Sequence, residues 1–266
     1  MAIRIVVTGK GGSGKTTIAA LLSIIFSENG YRVLALDTDS VPNLAQTLGV
    51  PLEEAEKIVP LVRNYELIEE RTGVKPGERW GLLFSLTPRV DDLVSRYGIK
   101  INDNLTLVVV GSIDTGKEGC LCPALALARA FLLHIAMKRG REVVIVDSEA
   151  GAEVFGRGLA EKFDLNITVS EPTLRSMIIA HKLIELAKDL GIKNSILVIN
   201  KVIDRASAIE LYSRVFNNNI PYHIVSYDPN LAKIETASLD INKVRNSQIF
   251  HDILTLYNKI SKIAKL

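Results

Sequence analysis

Cysteine is nearly absent from this sequence, with two residues in a chain of 266 amino acids. The two are Cys120 and Cys122, which are separated by a single residue. A secreted disulfide-rich fold needs more cysteines at wider spacings, so that class is excluded. A bond between cysteines this close together would also close a strained ring. The pair is therefore more consistent with ligands for a metal ion than with a structural disulfide.

Long apolar runs and an excess of either charge are also missing. No stretch approaches the roughly 20 apolar residues of a membrane-spanning helix, and no basic or apolar leader precedes the first predicted strand. The net charge is +2, while hydrophobic residues make up 47% of the chain. This composition supports a sizeable core and gives no electrostatic case for nucleic acid. We expect a cytoplasmic protein with no membrane and no nucleic-acid partner.

The strongest motif in the chain is GKGGSGKTT, residues Gly9–Thr17. It fits G-x-x-x-x-G-K-[ST] and lies between the apolar runs Ile3–Thr8 and Ile18–Phe26, the strand–loop–helix setting of a phosphate-binding loop. The glycines let backbone N–H groups close around phosphates, Lys15 neutralises phosphate oxygens, and the Thr16 hydroxyl binds Mg²⁺. The predicted nucleotide-binding residues of the loop are Gly11, Gly12, Ser13, Gly14, Lys15, Thr16 and Thr17.

The rest of the chain alternates short β-branched runs with longer helical periodicities. This pattern predicts an α/β fold, a doubly wound and mostly parallel sheet flanked by helices, as one domain over residues 1–266. Predicted strands are Ile3–Thr8, Arg32–Asp37, Leu82–Leu86, Leu105–Val110, Glu142–Val146, Asn166–Val169, Ser195–Ile199 and His223–Ser226. Predicted helices are Lys15–Glu28, Asn43–Leu48, Val90–Tyr97, Ala124–Lys138, Ser176–Leu190, Ala206–Val215 and Gln248–Ala264, with partly helical surface structure from residue 53 to residue 80.

Polar residues follow several of the predicted strands. Asp37 ends the second strand and Asp39 lies in the turn after it, Asp147 follows Val146, and Asn200 follows a later strand. Ligands of open parallel sheets bind at the carboxyl ends of the strands, so these side chains are candidates for the same site.

The C-terminal helix carries an apolar stripe with lysines nearby. Such a stripe is typical either of a helix that packs on the sheet or of a helix that lies on a membrane surface, and packing is favoured. The stripe consists of Ile249, Ile253, Leu256, Ile260 and Ile263.

The phosphate-binding loop contains a second lysine, Lys10. With it the loop resembles the deviant Walker A loop of the MinD/ParA/nitrogenase-iron-protein class of ATPases. The resemblance implies that Lys10 reaches across a dimer to the partner's nucleotide, that Asp39 orients the attacking water, and that Asp147 holds Mg²⁺ through water. Asp37 is a weaker candidate for the outer shell of the same ion.

The same resemblance identifies two segments that would bind the adenine base of the nucleotide. Asn200 corresponds to the adenine-reading position, and the sequence Asp228-Pro229-Asn230 corresponds to a loop over the base. Ordinary turns are the alternative explanation for both segments.

The C-x-C motif, near the end of a polar glycine-rich loop at residues 111–123, precedes a predicted helix, whose dipole lowers thiol pKa values. Thiolates suit zinc, copper(I) or nickel. Two sulfurs do not complete a four-ligand shell, and a twofold dimer would supply the missing pair. Buried structural thiols, a redox pair and a shared iron–sulfur cluster are the alternatives.

Five segments together make the resemblance more specific. They resemble the CooC-type accessory ATPases that insert nickel into carbon monoxide dehydrogenase. The segments are DTDSVPNLAQTLG (37–49), PRVDDLVSRYG (88–98), GCLCP (119–123), DSEAGAEVFGRG (147–158) and SEPTLRS (170–176).

This resemblance implies a homodimer, dependent on ATP or on metal, that binds ATP or ADP with Mg²⁺. It also implies that Cys120 and Cys122 bind nickel, or zinc in the same site, and that a nickel–iron carbon monoxide dehydrogenase is the client. The resemblance to the MinD/ParA class is broader, so a positioning or partitioning ATPase of the MinD/ParA type is the alternative function. The chain departs from the expected pattern at Ser40-Val41-Pro42, where proline is expected directly after the aspartate, and at Val154, where histidine is expected.

Overall fold

One eight-stranded sheet runs through the part of the chain that the computed structural model describes, residues 3–76, 84–112, 122–137, 142–148, 157–229, 231 and 241–264. The strands are β1 (Ile3–Gly9), β2 (Arg32–Asp37), β3 (Ile99–Lys100), β4 (Leu105–Val109), β5 (Glu142–Asp147), β6 (Leu165–Ser170), β7 (Ser195–Val202) and β8 (Tyr222–Ser226). Their order is β3-β4-β2-β5-β1-β6-β7-β8. Every pairing is parallel except that of β3 with β4. The predicted fold class is confirmed.

The helices connect these strands across both faces of the sheet. They are α1 (Lys15–Glu28), α2 (Leu44–Thr47), α3 (Leu52–Ala55), α4 (Tyr65–Thr72), α5 (Leu93–Tyr97), α6 (Cys122–Met137), α7 (Arg157–Ala160), α8 (Leu174–Asp189), α9 (Arg205–Phe216), α10 (Ile241–Val244) and α11 (Gln248–Ala264). A short 3₁₀ turn covers Leu61–Arg63. Side chains cap two of the longer helices, since Thr173 accepts the Ser176 N–H at α8 and Asp204 accepts the Ala206 N–H at α9.

The alternation of side chains along β1 feeds two separate apolar cores. Ile5 and Val7 point to one face, where they pack with α1, α2 and α11. Val6 points to the other face, where it packs with α4 and α6. A strand buried on both faces must be apolar at every position, which is why the central strands are near-continuous apolar runs.

The apolar stripe of α11 is part of the first core. Ile253, Leu256 and Ile260 are fully buried, and Ile249 is 2% exposed. All four belong to the cluster that contains α1 and the inner face of the sheet. The packing interpretation of the stripe is therefore confirmed, although its last member, Ile263, is 45% exposed. Among the described residues, none of the helices has the length and the apolar character that crossing a membrane requires.

The structure differs from the sequence prediction mainly between residues 53 and 100. The predicted strand Leu82–Leu86 is wrong for residues 84–86, which form no strand, and residues 82–83 lie outside the described part. Ser85 instead donates its N–H to the Thr72 carbonyl, which attaches this stretch to the end of α4. Strand β3 was not predicted, because two residues are too few to show a period of two.

Candidate functional site

The phosphate-binding loop joins β1 directly to α1, as predicted. Gly9 and Gly14 have φ angles of 145° and 97°, which residues with a Cβ rarely adopt. A Cβ on Gly9 would also lie 2.3 Å from the Val169 carbonyl oxygen of β6. Lys15 begins α1 and is 7% exposed. The sequence therefore needs glycine at both ends of the loop, and the loop delivers a buried cation to the helix N-terminus, where anions bind.

Asp37 and Asp147 lie side by side at the carboxyl edge of the sheet. They are paired in the register of β2 with β5. Thr38 strengthens this junction, since its N–H and its hydroxyl both donate to the Asp147 carbonyl oxygen, at 3.0 and 2.8 Å. Parallel pairing thus brings together two carboxylates that are 110 residues apart in the sequence.

The two carboxylates differ in their hydrogen bonding. Asp37 accepts the Asp39 N–H at 3.0 Å and the Leu44 N–H at 2.9 Å, so its side chain fixes the start of the segment that follows β2. Both carboxylate oxygens of Asp147 are buried, and neither accepts a hydrogen bond within normal distance. Burial raises the pKa of Asp37 to about 6. Burial, followed by the neighbouring Asp37 charge, raises the pKa of Asp147 to about 7.

Two unpartnered carboxylate oxygens in the interior are what a cation-binding site requires. The Thr16 hydroxyl and the Lys15 ammonium lie near enough to lower the pKa of Asp147 against these two effects. Carboxylate and hydroxyl oxygens are the protein ligands that Mg²⁺ prefers. Thr16 and Asp147 therefore fit the predicted magnesium site, with Asp37 beside it.

An open cavity of about 710 Å³ lies above the loop. Its volume falls in the range of small-molecule and cofactor sites. Predicted residues that line it are Gly11, Gly12, Gly14, Lys15, Thr16, Thr17, Asp39 and Asn200. Other lining residues were not predicted individually: Ser40, Val41, Asn43, Lys201, Ser226, Tyr227, Leu231 and Ile249. Asp228, predicted as part of the loop over the base, also lines the cavity, whereas Asn230 lies outside the described residues.

Three predicted residues occupy positions beside the cavity rather than on its wall. Ser13 and Asp147 are buried and do not line it. Lys10 is half-buried in the loop, and its carbonyl oxygen accepts the Ser13 N–H at 3.2 Å. The role of Lys10 in a second subunit's site stays a prediction.

Asp39 is half-buried and begins the segment where the chain departs from the expected pattern. One of its carboxylate oxygens accepts the Val41 N–H at 3.2 Å and lies 3.4 Å from the Ser40 hydroxyl. The side chain is therefore held in a turn of its own segment while it faces the cavity. Its assignment to the attacking water stays a prediction.

The structure describes one of the two cysteines. Cys122 is the first residue of α6 and is exposed, and Pro123 follows in the first turn, as predicted. Cys120, the rest of the preceding loop and Val154 lie outside the described residues. Within the described ranges, no group of three or more His, Cys, Asp or Glu side chains is arranged to hold a metal ion.

Sequence reasoning missed Lys201 and Glu171. The Lys201 ammonium donates to the Gly12 carbonyl oxygen at 2.7 Å and to the Glu171 carboxylate at 2.9 Å. The only local signal was a lysine after the strand-end asparagine. Its partners are 30 and 189 residues away in the sequence, so no pattern could reveal the contact.

The fold and this loop together define a P-loop nucleotide-binding protein. Residues 4–241 match the family model of the CobQ/CobB/MinD/ParA nucleotide binding domain. The carbon monoxide dehydrogenase accessory protein CooC of Rhodospirillum rubrum is 40% identical over 222 residues, which cover 80% of this chain and 83% of that protein. An ATP-binding protein of Methanocaldococcus jannaschii is 43% identical over 264 residues, which cover 98% of both chains.

Solved structures show the same architecture at lower identity. The MinD cell division protein of Aquifex aeolicus has a TM-score of 0.68 at 20% identity and covers 98% of this chain and 97% of its own. A ParA family ATPase of Chlorobium tepidum has a TM-score of 0.69 at 18% identity, with coverage of 96% and 98%. The chain therefore belongs to the CobQ/CobB/MinD/ParA family and, within it, to the CooC-type accessory ATPases.

Proposed function

We propose that this chain hydrolyses ATP to control the delivery of nickel to a nickel–iron carbon monoxide dehydrogenase. In this proposal two copies of the chain bind the ion between them through Cys120 and Cys122. The client is suggested by the name of the Rhodospirillum rubrum relative, an accessory protein of carbon monoxide dehydrogenase. The family membership supports nucleotide binding. Nickel binding and its coupling to ATP need arguments from the chain itself.

The proposed coupling between ATP and nickel rests on one observation. It concerns the backbone hydrogen bonds at the point where the chain leaves the sheet, just before the cysteine-containing loop. The N–H groups of Val110 and Gly111 both donate to the Asp37 carbonyl oxygen, at 2.8 and 3.1 Å. The Asp37 carboxylate in turn accepts the N–H of Asp39, which faces the nucleotide cavity. One residue therefore connects the wall of the nucleotide site to the start of the cysteine-containing loop.

A second connection runs through the 3₁₀ turn. Arg63 donates to the Ser40 carbonyl oxygen at 3.3 Å, directly after Asp39. In the same turn Val62 packs closely on Gly111, since a Cβ on Gly111 would lie 2.8 Å from the Val62 side chain. The turn thus contacts the segment after β2 on one side and the beginning of the cysteine loop on the other.

The 3₁₀ turn also contacts the helix that carries Cys122. Leu61 is buried in one cluster with Leu127 and Phe131 of α6. A rearrangement of residues 39–43 around a γ-phosphate would therefore be passed through packed side chains to both ends of the cysteine loop. Movements of loops that sense the γ-phosphate are the common switch in nucleotide hydrolases.

The chemistry at the nucleotide is ATP plus water to ADP plus phosphate. Lys15 neutralises the phosphate oxygens, and Asp39 holds the attacking water in line. Mg²⁺, held by Thr16 and Asp147, would neutralise charge on the β- and γ-phosphate oxygens. Phosphoryl transfer depends on such positioning and neutralisation more than on a strong base.

The proposed metal site requires a second copy of the chain. Two thiolates from one C-x-C motif leave a four-coordinate ion with two open positions, and a twofold axis supplies two further sulfurs. Cys122 is exposed at the start of α6, as such a shared site requires. Lys10 would cross the same interface to the partner's nucleotide.

The test is anaerobic nickel binding and molecular mass on one sample, with and without ATP and Mg²⁺. We expect one nickel per two chains, a change in nickel affinity when ATP is added, and loss of binding in the Cys120→Ser/Cys122→Ser variant. That variant contains no cysteine, so any remaining nickel reports sites other than thiols. Delivery is then tested by activating a nickel-free dehydrogenase with the parent protein and with Lys15→Ala.

Other results would contradict the proposal in specific ways. Nickel binding that is equally tight in the double cysteine variant would refute the shared thiolate site. Dimerisation on ATP without thiol-dependent metal would instead support a positioning or partitioning ATPase. A coloured protein after anaerobic reconstitution with iron and sulfide would support a shared cluster.

A further inference from the structure

The backbone of β7 is irregular at the point where it reaches the phosphate-binding loop. Its pairing with β8 shifts register between Ile199 and Val202. Within this bulge Lys201 has a φ angle of 58°, a left-handed conformation that lysine rarely adopts. Residues in such conformations persist where the surrounding contacts determine them, often at ligand sites.

The bulge presents two successive side chains to two successive carbonyl groups of the loop. Asn200 donates its amide to the Ser13 carbonyl oxygen at 2.8 Å. Lys201 donates its ammonium to the Gly12 carbonyl oxygen at 2.7 Å. The Asn200 side-chain oxygen accepts the Lys201 N–H at 2.9 Å, which fixes the orientation of the amide. Both loop carbonyls are thereby held toward β7.

Peptide planarity turns these contacts into a constraint on the loop N–H groups. In a trans peptide the C=O and N–H groups point in opposite directions. Because Asn200 holds the Ser13 carbonyl, the N–H of Gly14 points to the opposite side of the loop. A phosphate-binding loop needs N–H groups directed at the anion and carbonyls directed away, and Asn200 enforces this arrangement for the Ser13–Gly14 peptide. The Ser13 N–H, opposite the Gly12 carbonyl that Lys201 holds, donates to the Lys10 carbonyl oxygen at 3.2 Å and closes the turn of the loop.

Glu171 completes the arrangement on the other side of Lys201. Its carboxylate lies 2.9 Å from the Lys201 ammonium, and the two side chains are 29% and 42% exposed. The carboxylate neutralises the ammonium and fixes its position above Gly12. The ion pair therefore favours a positioning role over direct attraction of phosphate.

We infer that Lys201 is a positioning residue, which with Asn200 and Glu171 preforms the phosphate-binding loop for its anion. Preformed sites bind more tightly because less conformational freedom is lost on binding. The proposed clamp acts on any nucleotide diphosphate or triphosphate in the cavity. It is independent of nickel and of the client enzyme.

The test compares the affinity for ADP with Mg²⁺, measured by calorimetry, in Lys201→Gly, Lys201→Arg and the parent protein. Glycine adopts the left-handed conformation freely, so Lys201→Gly removes the clamp without adding backbone strain. We expect about tenfold weaker binding in Lys201→Gly and recovery to within about threefold in Lys201→Arg, with Glu171→Gln in between. Lys193→Ala, at the opposite end of β7, is the control and should bind as the parent does.

Thermal unfolding without nucleotide separates positioning from general stabilisation. Under the proposal, the midpoint of Lys201→Gly stays close to that of the parent while the ADP affinity falls. Parent-like ADP affinity in Lys201→Gly would overturn the inference. So would a loss of affinity that parallels a loss of unfolding midpoint and is not restored by arginine. Neither measurement involves metal delivery, so failure here leaves the proposed function to its own test.

Discussion

Replacing Asp147 with asparagine should stabilise the protein when neither nucleotide nor metal is present. Asp147 is 1% exposed, and both its carboxylate oxygens lack a hydrogen bond. Burial and the adjacent Asp37 charge disfavour the ionised form and raise the pKa of Asp147 to about 7, from 3.8. Asparagine keeps the size of the side chain and removes the charge. The carbonyl group that Thr38 contacts belongs to the backbone, so the substitution preserves it.

The magnitude follows from the difference between the folded and unfolded pKa values. That difference is about three pH units, and at about 1.4 kcal/mol per unit it gives a ceiling of about 4 kcal/mol. This ceiling includes the electrostatic repulsion between Asp37 and Asp147, which the two carboxylates share. We therefore expect a gain in the free energy of unfolding of about 2 to 4 kcal/mol at pH 8. For a chain of this size the gain corresponds to roughly 4–8 °C in the unfolding midpoint.

The direction of the pH dependence is fixed by the raised pKa. Between about pH 4 and pH 7 the folded protein keeps a proton on Asp147 that the unfolded chain has released. The stability of the parent therefore falls as the pH rises through this window. The advantage of Asp147→Asn should be near zero at pH 4, grow up to pH 7 and stay constant above it.

The assay is unfolding in urea in the presence of a chelator, at pH values from 4 to 8. Asp39→Asn is the control, because it removes a charge from the cavity wall at a half-buried position. We expect a much smaller gain in that variant, because the Asp39 charge is the weakest of the causes that raise the pKa of Asp147. An Asp147→Asn protein that is no more stable than the parent at pH 8, or equally stabilised at pH 4 and pH 8, would refute the reasoning. The same variant should bind Mg²⁺–ATP more weakly, because the proposed magnesium site loses a negative charge.

Two further substitutions test the loop and the proposed coupling. Gly9→Ala places a Cβ 2.3 Å from a carbonyl oxygen of β6 at a φ angle of 145°, so we expect a loss of at least about 2 kcal/mol of stability in urea unfolding. Gly11→Ala meets no atom within 4 Å and should change stability by less than about 0.5 kcal/mol; equal losses would contradict the geometry. Arg63→Ala removes the hydrogen bond to the Ser40 carbonyl, so nickel should still bind while the effect of ATP on its affinity falls at least about threefold. The exposed Arg214→Ala is the control, and an undiminished ATP effect in Arg63→Ala would exclude this connection.

Much of the fold could be predicted because the signals are local. Helix α1 and strand β2 were predicted with the observed bounds, since a glycine or a charged turn ends each apolar run. Between residues 53 and 100 the predicted helical structure is confirmed by α3, α4 and α5, whereas the predicted strand Leu82–Leu86 is wrong over residues 84–86 and β3 was not predicted. The helices of this region are short, and a two-residue strand carries no periodic signal.

The candidate site divides in the same way. The phosphate-binding loop is a contiguous motif, so its residues could be named in advance. The contacts that shape it come from β7, through Asn200 and Lys201, and these depend on which strand lies next to β6. Strand order is set by long-range packing and pairing, which no local pattern records.

By itself the sequence determined the parts whose physics is local: the glycines that allow the loop conformation, the alternation of strands and helices, and the apolar stripe of α11. Only the tertiary structure decided that Asp37 and Asp147 are neighbours, that Lys201 holds Gly12, and that Gly111 leaves the sheet attached to Asp37. The physical reason is that a residue's type fixes its own backbone preferences and burial. Its distant neighbours are fixed by the register of the whole sheet, which forms only when all the strands pack together.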